Sequence, residues 1–258
     1  MKKLLSAFLA VVLALSCTVL FASAQDGLTV NVSIADQSSK LVLAHRSVAV
    51  TDKDSDGLIT INDALISAHD AHYQGGASQG YATAIGDYGL YLVKLWGKTN
   101  GAGFGYYVNN QAAWSLLDVL NDGDNLYAFI YTDTVGFSDS YCFFNNEAAT
   151  VKAYEAFTVE LKCLQYDMAS WQYVEKPVEG AVITIDGKAT KLVTDASGKA
   201  EITLTKQGEH LISASCESLL ITPPVCVVST EKGSIISALR YFINLILTWL
   251  RGLSSSIG

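Results

Sequence analysis

Apolar and polar residues alternate at period two from Leu28 to Ile34, which predicts a strand with one buried face. Leu41 to Val50 reads as a further extended pair, and Asp63 to Tyr73 as a short helix. Gly89–Trp96, Gly105–Val108 and Asn125–Tyr131 read as strands. Gly97, Gly101, Gly103 and Gly105 mark a flexible turn ahead of Tyr106-Tyr107-Val108-Asn109, and Asn121-Asp122-Gly123-Asp124 is a tight turn. This half of the chain is an α+β pattern with a mixed sheet and few helices. The polar, small stretch from Glu147 to Val151 marks a boundary. Beyond it, Phe157–Leu164, Trp171–Val174, Val182–Ile185, Thr190–Thr194, Ala200–Leu204, Leu211–Ala214 and Val225–Val228 are seven short strands parted by turn signals. That spacing predicts a seven-stranded β-sandwich, with Pro177, Pro223 and Pro224 at strand ends or in loops. The chain is therefore expected to be mainly β, with units at 25–150 and 151–230.

Both ends break this pattern. Lys2 and Lys3 precede an apolar run from Leu4 to Phe21, and Ala22-Ser23-Ala24 supplies small residues for cleavage. Residues 1–24 are thus expected to be a secretory signal peptide, cut after Ala24, and the protein to be secreted or held at the cell surface. At the other end, in the segment 231–258, Ser237, Arg240, Asn244, Thr248 and Arg251 recur three or four apart within the apolar stretch 235–253. They form one polar stripe on an amphipathic helix suited to a membrane interface or to docking on protein. A spanning helix is the alternative, although Arg240 and Arg251 stand against it, since a central Arg costs roughly 2.5–3.5 kcal/mol on insertion scales.

These two segments explain why an acidic chain, of net charge −8, has a mean hydropathy of +0.28. Residues 25–230 hold 12 basic and 24 acidic side chains. An excess of −12 argues against nucleic acid as a partner, because phosphate binding calls for clustered Lys and Arg. Cys17 falls in the leader, leaving Cys142, Cys163, Cys216 and Cys226, an even number in a disulfide-permissive compartment. The favoured pairing is Cys216 with Cys226 across Thr222-Pro223-Pro224, with Cys142–Cys163 second and four free thiols as the alternative. None has C-x-x-C spacing.

The sharpest chemical pattern is Asp52-Lys53-Asp54-Ser55-Asp56-Gly57-Leu58-Ile59-Thr60-Ile61-Asn62-Asp63. Carboxylates at loop positions one, three, five and twelve, with glycine at six, have EF-hand spacing. Asp52, Asp54, Asp56 and Asp63 would bind calcium through side chains, Leu58 through its carbonyl and Thr60 through water. The alternative is an acidic turn capping the next helix. His69 and His72 share a helical face, but no other histidine is near in sequence, which favours packing over zinc binding.

The loop resembles a single dockerin repeat, closed by Asp; dockerins carry two repeats, so cohesin binding does not follow, and the ion is expected to be structural. The order of elements over 28–131, with Gly105-Tyr106-Tyr107-Val108-Asn109-Asn110 and Asn121-Asp122-Gly123-Asp124 ahead of Leu126-Tyr127-Ala128-Phe129-Ile130-Tyr131, resembles the β-grasp domain of transcobalamin-like proteins. Residues 152–230 resemble immunoglobulin-like or carboxypeptidase-regulatory-like sandwiches. These resemblances imply a bacterial exported protein made of a β-grasp-like domain, a sandwich and a C-terminal amphipathic helix. Cobalamin or a related small ligand is an alternative, although the helical domain that completes such a site has no counterpart here.

No H-E-x-x-H pair or phosphate loop occurs. Asp118, Asp122, Asp124, Asp133 and Asp139 are candidate glycosidase carboxylates, better read as loop residues beside glycine turns. Tyr88, Tyr91, Trp96, Phe104, Tyr106, Tyr107 and Trp114, with Trp96, Tyr106, Tyr107 and Trp114 favoured, could stack on an extracellular ligand. The expectation is a non-catalytic binding or adhesion module, or part of a carbohydrate-active surface assembly.

Overall fold

The computed structural model describes residues 27–254 apart from Ala102, so the expected signal peptide lies outside the described residues. The first unit contains β1 (Leu28–Ala35), β2 (Leu41–Val50), α1 (Ile61–His72), α2 (Gly76–Gly80), β3 (Ala82–Gly86), β4 (Gly89–Lys94), β5 (Phe104–Val108), β6 (Gln111–Ala112) and β7 (Asn125–Ile130). Its main sheet has the order β2-β1-β7-β5-β6. β1 pairs antiparallel with β2 and parallel with β7, so the last strand lies beside the first with α1 crossing between, a β-grasp-like arrangement. The β3–β4 hairpin forms a separate two-stranded sheet.

Alternation along β1 and β7 sends alternate side chains to opposite faces. Val30, Val32, Leu126, Ala128 and Ile130 pack with Ile61, Ala64, Leu65 and Ala68 of α1. Tyr127 and Phe129 emerge on the other face, among Tyr141, Phe143, Leu164 and Val225. β7 is hence buried from Leu126 to Ile130, the continuous apolar run expected of a strand covered on both sides.

The cover on that second face is the sandwich: β8 (Cys142–Phe144), β9 (Ala148–Lys152), β10 (Ala156–Asp167), β11 (Gln172–Pro177), β12 (Val182–Ile185), β13 (Lys188–Val193), β14 (Lys199–Thr203), β15 (Gly208–Ser215) and β16 (Cys226–Glu231), followed by α3 (Ile235–Ser254). One sheet is built on β10, which pairs with β11, β14 and β8; the other runs β13-β12-β15-β16-β9. Val159, Leu161, Ala200 and Ile202 of the first meet Ile183, Ile212, Ala214 and Val228 of the second in one core.

All seven expected strands are present, but β8 and β9 make nine. The sandwich therefore begins at Cys142, and the boundary expected at 150 falls inside β9. Three residues are too few to show a period, and Ala148-Ala149-Thr150 has the small side chains of a linker; only pairing with β10 and β16 makes these segments strands. The disulfide reading also changes, because all four described cysteines are free. The ladder places Cys226 opposite Ile212, four residues before Cys216, and β15 stays extended to Ser215. At about 3.3 Å per residue the two lie roughly 13 Å apart, beyond disulfide reach. Cys142 and Cys163 do face each other across β8 and β10, and burial pushes the Cys142 thiol well up.

The two units meet through rings. Tyr107 stacks on Tyr141 with centroids 3.7 Å apart, and the Tyr127 hydroxyl, its pKa pushed well up by burial, donates to the Pro223 carbonyl at 2.6 Å. His45 lies 3.3 Å from Glu147, and Arg46 pairs with Glu209 at 3.0 Å. Gly105 makes this packing possible, since a Cβ there would lie 2.4 Å from the buried Phe129 ring. Gly105→Ala is expected to lower unfolding free energy by about 1–3 kcal/mol in urea titration, the usual cost of overpacking, with the midpoint falling accordingly.

Candidate metal loop and ligand groove

The loop from Asp52 turns sharply at Gly57, whose φ of +89° suits glycine. Asp52 organises the turn by accepting the amides of Ser55 at 2.7 Å and Gly57 at 2.8 Å; its carboxyl pKa is lowered, chiefly by the Gly57 amide. Asp63, wholly buried, accepts Lys53 N at 2.8 Å on one oxygen and Thr60 N at 2.9 Å on the other. Thr60 is the N-cap of α1: its hydroxyl donates to Asp63 at 2.6 Å and accepts the Asp63 amide, a capping box.

Asp52, Asp54 and Asp63 each offer an oxygen within 4.8 Å of the others. Desolvation, and after it the charges of Asp56 and Asp63, raise the Asp54 carboxyl pKa. This convergence of hard oxygens is the donor chemistry a calcium ion takes, and carboxylates keep lone pairs free after accepting amides. Of the six expected ligands, these three meet. Asp56 instead accepts the Leu58 amide at 2.8 Å, and Thr60 is committed to the helix cap. Helix cap and carboxylate cluster thus share Asp63.

His69 is not a zinc ligand here. It is fully buried while His72 is exposed, and its Nδ1 lies 2.6 Å from the Leu65 carbonyl and its Nε2 3.0 Å from the Trp96 amide. A carbonyl can only accept and an amide only donate, so the ring is neutral with its proton on Nδ1. Burial lowers its pKa, and the ring packs between Tyr73, Tyr81 and Trp96. It ties α1 to the turn after β4.

Of the four aromatic residues expected at a ligand surface, the structure brings two together. Tyr106 and Tyr107 are consecutive on β5 and face opposite sides: Tyr106 borders the α1 core, while Tyr107 is stacked at the sandwich contact. Trp96 packs on His69 and Tyr73. Tyr106 and Trp114 instead line a groove of about 860 Å³ with Tyr88, Tyr91, Val93 and Thr99, between the β3–β4 hairpin and the β5–β6 edge. Tyr88 and Trp114 are 106% and 94% exposed. Among the described residues its lining holds one carboxylate, Asp87, and no histidine, cysteine or lysine. Tyr88 and Tyr91, also among the aromatics the sequence offers, reach the groove from the two-residue Asp87-Tyr88 turn and from β4.

The five candidate acid residues are occupied in turns. Asp118 accepts the Trp114 amide, Asp122 that of Thr29, and Asp124 the Asn121 amide and Asn109 side chain. Asp133 accepts Gly136 N and Ser138 Oγ, which hold its pKa at about 2, and Asp139 accepts Thr132 and Asp133.

No family profile and no curated protein matches this chain. Among solved structures it is similar to the ectodomain of the teleost fish polymeric Ig receptor, at 11% identity and TM-score 0.23, over 51% of this chain and 63% of that one. Two four-Ig-domain fragments of Dscam1, isoforms 6.9 and 8.4, match at 11% identity and TM-scores of 0.22 and 0.23, over 53% and 60% of this chain and 39% and 41% of theirs. The matches thus span less than two thirds of each of those chains. Likeness this distant carries no functional weight; the sandwich stands on its own strand pairing.

Two histidines, His69 buried and His210 partly exposed, give opposite pH signatures. The His69 pKa is lowered on folding, so acidification below the unfolded value of about 6.5 costs stability. The His210 pKa is raised, chiefly by its 2.8 Å bond to Asp186; that stabilisation is complete below about 6.5 and is lost as pH rises through the folded value. Melting scans at pH 5 and pH 7.5 should show His69→Gln removing an acid-side loss and His210→Gln removing an acid-side gain; shifts of the same sign would contradict the assignment.

Proposed function

We propose that the mature chain is an exported, non-catalytic binding module whose ligand face is the aromatic groove, with a calcium ion at Asp52, Asp54 and Asp63 fixing the start of α1. The observation that carries the reading is the groove itself: four rings, two of them almost fully exposed, on a strand edge and hairpin supported by a packed core. Exposed rings on rigid backbone stack on flat apolar faces, and hydroxyls at their rims give direction. Sugar rings of an extracellular polymer present such faces. The turn-bound carboxylates support binding rather than hydrolysis, and Gly76-Ala77-Ser78-Gln79-Gly80, which has the G-x-S-x-G spacing, lies within α2, where the Ser78 hydroxyl donates to the Gly75 carbonyl at 3.1 Å. Calcium would supply positive charge among three carboxylates and oppose loosening of the loop; Asp63 would then join ion, loop and helix cap.

Two measurements test this reading. Titration of the mature chain with an oligosaccharide panel and with cobalamin, followed by tryptophan fluorescence, should show a glycan binding, with Trp114→Ala weakening it about tenfold or more, as loss of a central aromatic contact does. Glycan cleavage, tight cobalamin binding, or a Trp114→Ala protein with unchanged affinity would sink it. In calorimetry, calcium at 100 times its Kd should raise Tm by roughly 5–10 °C over chelated protein, and Asp54→Ala should abolish the rise. An equal Tm with and without calcium makes the loop a turn only.

A further inference from the structure

We propose that α3 lies in the interface of an anionic lipid surface, with its apolar side in the lipid and the two β units on the aqueous side. This concerns a surface apart from the groove and does not depend on the ligand bound there. The twenty residues of α3 make a rod about 30 Å long. Its start is fixed to the sandwich: Ser237 Oγ donates to Glu155 at 3.0 Å, and the Tyr241 and Phe242 rings lie 5.8 and 6.0 Å from Tyr154. From Phe242 to Arg251 every side chain is exposed. Ile243, Ile246, Trp249 and Leu250 are 49%, 57%, 65% and 48% exposed, and Ile236 and Leu239 near the start are 73% and 61% exposed. Contiguous apolar surface of this kind marks a contact site rather than a wetted face.

Three observations say what covers it. First, the polar stripe faces the body: Ser237, Arg240 and Asn244 share a cleft with Glu155 and Glu201, so the apolar side points away from both β units. A surface-lying helix needs that orientation, with the folded mass above it. Second, the cations and acids are segregated. After Glu231 the chain holds Lys232, Arg240 and Arg251 and no acid, whereas residues 25–230 carry −12. A helical tail with basic and no acidic side chains is drawn to anionic headgroups. Third, the apolar arc takes in every position except the stripe, wider than the narrow seam that a two-helix pair buries, so a dimer would leave much of it wet. Among the described residues no helix is long and apolar enough to cross a membrane, which leaves the in-plane orientation.

The test is co-sedimentation of the full mature chain with vesicles of phosphatidylglycerol and phosphatidylcholine in equal parts, and with phosphatidylcholine alone. The expected result is binding to the mixed vesicles at least tenfold tighter than to the neutral ones, with a blue shift of tryptophan emission that Trp249→Phe removes. Ile243→Asp with Ile246→Asp should lower binding more than tenfold, and a circular dichroism melt should be unchanged because both side chains are exposed. Lys232→Gln should cost about fivefold at low salt, with little effect on the neutral vesicles. Equal affinity for both vesicles, no binding to either, or self-association that Ile243→Asp breaks and vesicles do not compete with would overturn the proposal.

Discussion

The central sheet can exist only because both of its faces are covered. β1 and β7 run parallel through the middle of the first unit, and parallel strands with apolar residues on both sides have no tolerance for water on either. α1 covers one face. The sandwich covers the other, through Tyr127 and Phe129 set into Tyr141, Phe143, Leu164 and Val225. Without the sandwich, Phe129 and the Tyr127 hydroxyl would lose their cover and the 2.6 Å bond to Pro223. The boundary between the two units is thus a shared core, with charged pairs such as Arg46–Glu209 confined to its exposed edge.

Each functional feature hangs from this arrangement. The helix cover of the first face begins at Ile61, beside Asp63, where capping box and carboxylate cluster coincide, and is tied near its end by His69. That tie fixes the turn after β4 and hence the root of the hairpin that carries Tyr88 and Tyr91; the opposite wall, with Tyr106 and Trp114, belongs to β5 and the segment after β6. The sandwich, fixed on the second face, carries α3 at the end of its last strand. A loop, a groove and a tail far apart in sequence are therefore held by one body.

Much of this was legible in the chain because the local signals were strong. Period two gave β1, a continuous apolar run gave β7, three- and four-residue recurrence gave α3, and the spacing of Asp52, Asp54 and Asp63 located the carboxylate cluster. What stayed hidden depends on distant partners. β8 and β9 are strands only because β10 and β16 lie beside them. The register that separates Cys216 from Cys226 is set by the β15–β16 ladder, and a short loop length gives no hint of it. Tyr106 and Tyr107 could have been separated by alternation alone, since neighbours on a strand cannot share a face. Trp96 could not, because its place beside His69 follows from a turn 27 residues along the chain.

Native-state hydrogen exchange of the mature chain in increasing urea tests the shared core most directly. The slowest amides of β7, on the first unit, and of β15 and β16, on the sandwich, should converge on one opening free energy with one urea dependence. Two separate opening events, with β7 exchanging while β15 and β16 stay protected at full strength, would show that the units fold independently and that the aromatic contact between them is incidental.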